Sequence, residues 1–126
     1  MAIESYDPNV PPEELAWLET DEQERIRIVK AYHHGIGEMS EENVHSTLHV
    51  IVENQFIMGE RMPVREKVRQ LMAQGLSRHD SLHAIAICLV KHLDRLSRSS
   101  VEGDQEERYF ADVRRMSARK YMAMRQ

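Results

Sequence analysis

Residues 77–96, SRHDSLHAIAICLVKHLDRL, form a long amphipathic segment. Ser77 followed by Asp80 is typical of a helix start, where a side-chain oxygen accepts a hydrogen bond from a backbone amide of the first turn. The apolar side chains then recur at the spacing of one helical face. They are Leu82, Ile85, Ala86, Leu89, Val90, Leu93 and Leu96. The pattern predicts a long helix, the fifth in the chain, at the centre of the fold.

Glycine and proline divide the rest of the chain into similar segments. All five glycines and all four prolines lie where helical patterns begin or end, which favours helices joined by short turns. No segment alternates apolar and polar residues as a half-buried strand would. The sequence therefore predicts an all-α protein, a compact single-domain bundle of about five to six helices.

Individual helix boundaries follow from capping signals. Pro11 and Pro12 are expected in the first turn of a short first helix. The second helix is expected to begin with a capping box at Thr20 and to end at Gly35. Ser40 is expected to cap a third helix over about residues 41–58. Its buried stripe is predicted to contain Val44, Leu48, Ile51, Val52 and Gln55.

The fourth helix and the C-terminal segment follow the same logic. Pro63 opens a short fourth helix that ends at Gly75, and Asp104 caps a last helix. We expect one helical domain over residues 1–100 and a C-terminal amphipathic helix over residues 101–126, packed on the domain or partly frayed.

Composition excludes several classes of protein. The chain has 126 residues, 41% of them hydrophobic and 30% charged, which is typical of a soluble globular domain. No apolar run approaches the length of a membrane span, and the first residues do not resemble a secretory signal, so we expect a cytoplasmic protein without membrane contact. Cys88 is the only cysteine, so an internal disulfide is excluded.

Charge is distributed unequally along the chain. Residues 1–60 contain 13 acidic and 3 basic residues, whereas residues 61–126 contain 8 acidic and 14 basic residues. This asymmetry favours packing of the two halves against each other, or self-association of two chains. The basic tail after Val113 lacks a recognised nucleic-acid motif, so a nucleic-acid partner is not expected.

Two histidine pairs carry the strongest chemical signal. His45 and His49 lie four residues apart, as do His79 and His83. On a helix this spacing places two imidazoles on one face, about one turn apart. If the third and fifth helices pack as an antiparallel or crossing pair, the four rings converge at the margin of the core.

Glu53 extends the first histidine row, and several ligand sets are compatible with the spacing. At about 1.5 Å per residue, His45 and Glu53 are about 12 Å apart along the helix, so one ion cannot bind both. Either both histidine pairs bind one ion, or His49 and Glu53 do, or the row spans two ions. Imidazole and carboxylate ligands suit zinc, iron, manganese or nickel. Nearby acids could fix the imidazole tautomers: Glu38, Glu41, Glu42 and Asp80.

Catalytic signatures are absent from the sequence. His33 and His34 could supply a base, but there is no zinc-peptidase motif, di-iron repeat, phosphate-binding glycine loop or nucleophile elbow. Cys88 lies among apolar residues and is interpreted as a core residue, as are Trp17 and Tyr109.

Several separated blocks of the chain carry a family resemblance. The blocks are YDP at 6–8, PEELAWL at 12–18, DEQERI at 21–26, AYH at 31–33, NVHSTLHVIVENQ at 43–55 and RHDSLHAI at 78–85. Together they resemble a group of small bacterial proteins related to the bacterial domain of unknown function 1841. The resemblance covers about residues 6–95 and implies a compact helical protein. It implies no reaction.

Two functional hypotheses follow from the sequence. The first is a non-catalytic helical module that self-associates or binds another protein. The second is a metal-binding protein, which could be an enzyme, with His45, His49, Glu53, His79 and His83 as candidate ligands.

Overall fold

Seven α-helices make up most of residues 2–35, 42–98 and 103–125, which the computed structural model describes; for residues 33–35, 42 and 43 it describes the backbone alone. The helices are α1 Glu14–Glu19, α2 Glu22–Gly35, α3 Glu42–Ile57, α4 Val64–Ala73, α5 Arg78–Leu96, α6 Gln105–Arg115 and α7 Ala118–Met124. The same residues contain no strand, so the all-α prediction is confirmed. None of these helices combines the length and apolar character that crossing a membrane requires.

Helix α5 is the central element, as the sequence predicts. Ser77 caps it by accepting a hydrogen bond from the backbone amide of Asp80, at 3.0 Å. Its buried face includes Leu82, Ile85 and Leu89, and it contacts α3, α4, α6 and α7. The position of α5 therefore sets the positions of most other helices.

Helix α3 lies between two apolar clusters and is buried on more than one side. Val50 and Ile57 pack with Trp17 and α2 on one side, whereas Val52 and Phe56 face α4, α5 and α6 on the other. The predicted stripe is therefore too narrow, and its first member is wrong, since Val44 is 57% exposed. The side of α3 between these clusters carries polar residues into the interior.

The N-terminal segment is held against α3 by buried aromatic residues. Trp17 is fully buried, and its indole nitrogen donates a hydrogen bond to Asn54 at 2.8 Å. Thr20 ends α1, with its hydroxyl donating to the carbonyl of Ala16, so the predicted capping box at the start of α2 is wrong. Pro11 and Pro12, which were predicted to lie in the first turn of this helix, precede α1, and Glu13 caps it. The predicted cap at Ser40 lies outside the described residues.

The C-terminal segment forms two helices where the sequence predicts one. Asp104 caps α6 as predicted, through a bond from the Glu107 amide. The backbone then becomes extended at Met116, and Ser117 caps α7 by accepting from the Lys120 amide. The break contains neither glycine nor proline, so the punctuation that identifies the other helix ends is missing here. Helix α7 returns to pack against α5.

Candidate metal centre

Helices α3 and α5 bring the two histidine pairs together. On α3, His45 lies against His83, His49 lies against both His83 and His79, and Glu53 pairs with Arg78, so the two helices run antiparallel. This reversed pairing places the rings of both pairs side by side between the helices. The arrangement is the one that the i, i+4 spacing predicts for two packed helices.

Three of the four imidazoles lie at distances suitable for one ion. One ring nitrogen from each of His45, His49 and His83 lies within 4.8 Å of the others, and no other such group of metal-ligand side chains occurs among the described residues. The Nε2 atoms of His49 and His83 are 3.1 Å apart. Two nitrogens bound to a tetrahedral zinc ion at about 2.0–2.1 Å are separated by roughly 3.3 Å. The His49–His83 separation is close to this value, and a ring nitrogen of His45 lies within 4.8 Å of both.

His79 packs against this group without joining its ligand atoms. Its ring centroid lies 4.4 Å from that of His83 and 5.3 Å from that of His49. Tyr32 contacts the His79 ring edge-on from another direction, at 6.0 Å between centroids. His79 therefore forms one wall of the cluster.

Burial within the cluster is uneven. His49 is 3% exposed, whereas the other three rings are half-buried. The sequence predicts that all four rings lie at the margin of the core. This is correct for His45, His79 and His83, whereas His49 lies inside the core. A buried imidazole needs hydrogen-bond partners, because desolvating a polar group without them is unfavourable.

Glu53 lies in the same row but is bonded elsewhere. It is fully buried, and Arg78 donates to both of its carboxylate oxygens, at 2.8 and 2.7 Å. Arg78 is also buried and donates to the carbonyl of Pro8 at 3.0 Å. Glu53 is thus not among the ligand atoms that the structure brings together, and instead anchors a buried charge pair between the acidic and basic halves of the chain.

Tyr6 connects this charge pair to the histidines. Its hydroxyl donates to Glu53 at 2.7 Å and lies 3.1 Å from Nδ1 of His49. Burial raises the pKa of the Tyr6 hydroxyl far above its ordinary value, and the charge of Glu53 raises it further. The hydroxyl therefore keeps its single proton, which it donates to the carboxylate, since the carboxylate can only accept.

The hydrogen-bond network assigns the tautomer of His49. Because the Tyr6 proton points to Glu53, the short contact with His49 is satisfied when Nδ1 carries a proton and donates to the Tyr6 oxygen. The Nε2 atom then presents its lone pair to His83 and the centre of the cluster. A metal-ligating histidine is oriented in the same way, by donating its second ring proton to a fixed acceptor.

Asp80, one of the predicted acceptors, bonds to α7. Asp80 accepts from the Tyr121 hydroxyl at 3.3 Å and pairs with Arg125 at 3.5 Å. Glu38 and Glu41 lie outside the described residues, and for Glu42, His33 and His34 the side chains do.

Tyr6 and Arg78 are the functional residues that spacing did not identify. Each reaches Glu53 across a long stretch of sequence, 47 residues for Tyr6 and 25 for Arg78. Helical periodicity reveals only neighbours on one helix. The signal that was present is Glu53, one turn after His49 on the same face of its helix. Arg78 directly precedes His79, and consecutive residues do not share a helix face, so spacing did not connect Arg78 with the histidines.

Cys88 lies apart from the cluster, in the core. It is 2% exposed, and its thiol contacts the carbonyl oxygen of Ala84 at 3.7 Å. Burial raises the pKa of the thiol to about 11, which suppresses the reactive thiolate at neutral pH. This supports its interpretation as a core residue.

Comparisons of the chain with protein-family models, curated proteins and solved structures gave no match. The resemblance to the bacterial domain of unknown function 1841 accordingly stays a prediction. Functional inference for this chain rests on the geometry of its own residues.

Proposed function

We propose that this protein binds one transition-metal ion through His45, His49 and His83. The observation that supports the proposal best is the approach of three imidazole nitrogens, from two antiparallel helices, to within 4.8 Å of one another. The buried network of Tyr6, Glu53 and Arg78 adds a second argument. It orients His49 as the carboxylates behind metal-bound histidines do.

The ligand atoms narrow the choice of metal. Imidazole nitrogen suits zinc, copper, iron and nickel, whereas manganese prefers carboxylate and water oxygen. Glu53 would be an oxygen ligand, but both of its oxygens accept hydrogen bonds from Arg78 and Tyr6. We therefore favour zinc, nickel or iron(II) over manganese.

Three protein ligands leave one coordination position for water or another small molecule. Such an open position distinguishes a reactive zinc centre from a structural one, which has four protein ligands. A metal ion in this site would polarise whatever occupies that position. The proposed metal site is therefore compatible with an enzyme as well as with a protein that only binds the metal.

Metal content and competition titration test the proposal. Tag-free protein is analysed for transition metals, and its zinc affinity is measured against a chromophoric chelator. We expect one zinc site per chain, with affinity at least 100-fold weaker in His49→Gln and in His83→Gln. The matched control is His92→Gln, also on α5, because the His92 ring stacks on Tyr109 outside the cluster.

Two results would contradict the metal-binding proposal. One is the absence of zinc, nickel and iron binding at micromolar concentrations by folded wild-type protein. The other is an equal effect of His92→Gln and His83→Gln, which would mean that zinc binds elsewhere or nonspecifically. Circular dichroism of each variant verifies that the helices are intact.

Self-association is the second candidate function, because apolar side chains remain exposed on α5. Leu93 is 42% exposed and Leu96 55% exposed, on neighbouring turns near the end of this helix. Exposed aliphatic residues grouped in this way are typical of contact surfaces between proteins. Sedimentation velocity is the test. A dimer that dissociates in Leu93→Asp/Leu96→Asp supports a helical interaction module, and a wild-type monomer at 100 µM contradicts self-association.

A further inference from the structure

A pocket rich in arginine lies between α4, α6 and the short connection that precedes α4. Its volume is about 530 Å³, which is within the range of small-molecule pockets. Four guanidinium groups and two carboxylates line it, so its formal net charge is +2. The charged lining residues are Arg61, Arg65, Arg69, Arg114, Glu60 and Glu66. The pocket shares no residue with the histidine cluster.

The arginines of this pocket are not neutralised by carboxylates of its lining. Within the described part of the chain, the side chains of Arg61 and Arg69 form neither an ion pair nor a hydrogen bond. Arg114 pairs only with Glu107, at 3.4 Å, and both side chains are more than half exposed, so this pair contributes little. Cations of one sign that line a concavity focus a positive potential in it. The pocket therefore attracts anions and keeps donors for them.

Arg65 is held in a fixed position at the pocket wall. Its Nε and Nη2 atoms donate to the carbonyl oxygens of Phe56 and Ile57, at 2.9 and 3.1 Å, and its guanidinium lies over the Phe56 ring. Both acceptors are neutral, so the positive charge of Arg65 is retained. Its Nη1 atom packs against Gly59, at 3.4 Å from the position that a Cβ atom would occupy. Because the side chain is already ordered, binding an anion costs it little conformational entropy.

The four arginines come from three separate elements of the fold. Arg61 is the last residue of a 3-10 helix, Gly59–Arg61, whereas Arg65 and Arg69 lie one turn apart on α4 and Arg114 lies on α6. A planar carboxylate is satisfied by one bidentate arginine. A phosphate group offers three terminal oxygens and about two negative charges, which suits several arginines that approach from more than one direction. The number and placement of the donors thus favour phosphate over carboxylate.

We infer that this pocket binds a small organic phosphate. The phosphate group accepts hydrogen bonds from Arg65 and from the unpaired guanidinium groups of Arg61 and Arg69. The pocket is larger than a phosphate ion requires, and Met62 and Pro63 supply apolar surface for the organic part of the ligand. Binding does not depend on the proposed metal ion, because the two sites have no residue in common.

Calorimetric titration with three aromatic anions at constant ionic strength tests the chemical class of the ligand. Phenyl phosphate has a tetrahedral, doubly charged head, benzoate a planar, singly charged one, and phthalate carries two planar carboxylates. We expect phenyl phosphate to bind at least tenfold more tightly than either carboxylate. Equal affinity for phthalate would mean that charge alone selects the ligand, and a lack of phenyl phosphate binding at millimolar concentration would mean that the pocket is not an anion site. Either result would overturn the inference.

Substitutions of exposed lining residues test the location of the ligand. Arg61→Gln and Arg69→Gln should each weaken phenyl phosphate binding at least fivefold, since each removes a charged hydrogen-bond donor. The matched control is Arg119→Gln, an exposed cation of α7 outside the pocket, which should change affinity less than twofold. Glu66→Gln should strengthen binding, because it removes a repulsive carboxylate, and a gain of affinity does not arise from damage to the fold. Equal losses in Arg69→Gln and Arg119→Gln would overturn the inference.

Two further measurements separate this pocket from other anion sites. Treatment with a metal chelator should leave phenyl phosphate binding unchanged, whereas loss of binding would place the phosphate at the histidine cluster and overturn the inference. A single-stranded oligonucleotide should bind no more tightly than phenyl phosphate. If it binds more tightly and loses affinity equally in Arg61→Gln and Arg119→Gln, the basic surface is a nucleic-acid surface and the inference is wrong. Failure of the metal-binding proposal is detected separately, by zinc titration.

Discussion

The Nε2 atoms of His49 and His83 lie 3.1 Å apart, across the interface between α3 and α5. Without an ion, this distance requires a proton between them, because two lone pairs at hydrogen-bond distance repel each other. His49 carries its proton on Nδ1, facing Tyr6, so the shared proton belongs to His83. A metal ion bound as we propose would replace that proton at a similar separation, so little rearrangement of the two helices would be needed.

Tyr6→Phe is predicted to weaken zinc binding by 10- to 100-fold. The substitution removes the hydroxyl between Glu53 and His49, so the orientation and tautomer of His49 are no longer fixed. Loss of a group that orients a metal ligand typically has an effect of this size. Competition titration with a chromophoric chelator measures it.

Tyr109→Phe is the control for Tyr6→Phe. It also removes a buried tyrosine hydroxyl, one that bonds to Gln55, but it does not touch the cluster. We expect its zinc affinity to equal that of wild type. If both substitutions weaken zinc binding equally, the effect arises from general destabilisation and the positioning role of Tyr6 is rejected.

Arg78→Met is predicted to destabilise the fold by about 3–5 kcal/mol, because it leaves the Glu53 carboxylate buried without its cation. Adding Glu53→Gln to Arg78→Met should recover part of the loss, since the uncompensated charge is then removed. Urea denaturation measures both. The control is Arg98→Met, whose partner Asp94 is exposed and whose loss should change stability by less than about 0.5 kcal/mol. Additive effects of Arg78→Met and Glu53→Gln would show that the pair is not coupled.

The fold was predictable where its signals are local. The caps at Ser77 and Asp104, and the end of α4 just before Gly75, follow from residues within one turn of each boundary. The break between α6 and α7 was missed because it contains neither glycine nor proline, although Ser117 is a residue type that commonly caps helices. Thr20 was assigned to the wrong helix end, since a threonine hydroxyl can bond either the amide ahead or the carbonyl behind it.

The candidate site was predictable only in part, for a related reason. Spacing identified the histidine rows because i, i+4 neighbours share a helix face. It gave no information on which rows meet, or on what Glu53 binds, because those contacts depend on how distant segments pack. Tyr6 illustrates the limit, since it lies in an N-terminal segment without helical periodicity and reaches His49 across 43 residues.

The Cys88 thiol is predicted to make stability fall as pH rises from 9 to 11. Burial raises its pKa from an ordinary value near 9 to about 11, so between these values the unfolded chain loses the thiol proton while the folded chain keeps it. The stabilisation that the raised pKa provides is fully present below pH 9 and has disappeared once the pH exceeds 11. It amounts to at most about 3 kcal/mol at the roughly 1.4 kcal/mol of one pKa unit.

Comparison with Cys88→Ala isolates this effect from the other groups that titrate at high pH. The stability difference between wild type and Cys88→Ala should shift by that amount, in favour of the variant, between pH 9 and 11. Reaction of the native thiol with Ellman's reagent at pH 8 should also be slow until urea unfolds the protein. If the stability difference between wild type and Cys88→Ala does not change with pH, and the thiol of the folded protein reacts rapidly with Ellman's reagent, the thiol is accessible and the prediction is wrong.

Lys67→Met is predicted to loosen the packing of the C-terminal helices. The buried Lys67 ammonium donates to the carbonyl oxygens of Arg114 and Met116, at 2.7 and 2.8 Å, where α6 ends and the chain turns into α7. Removing this donor leaves two carbonyl groups unsatisfied, at a cost of about 1–3 kcal/mol in stability.

Zinc affinity should be unchanged in Lys67→Met, since the histidine cluster lies between α3 and α5 and does not depend on α7 for its ligands. Arg119→Met is the control, because Arg119 is an exposed cation of α7. Urea denaturation and zinc competition of the two variants separate the effect on stability from the effect on metal binding. Weaker zinc binding in Lys67→Met would contradict this prediction and show that α7 supports the metal ligands directly.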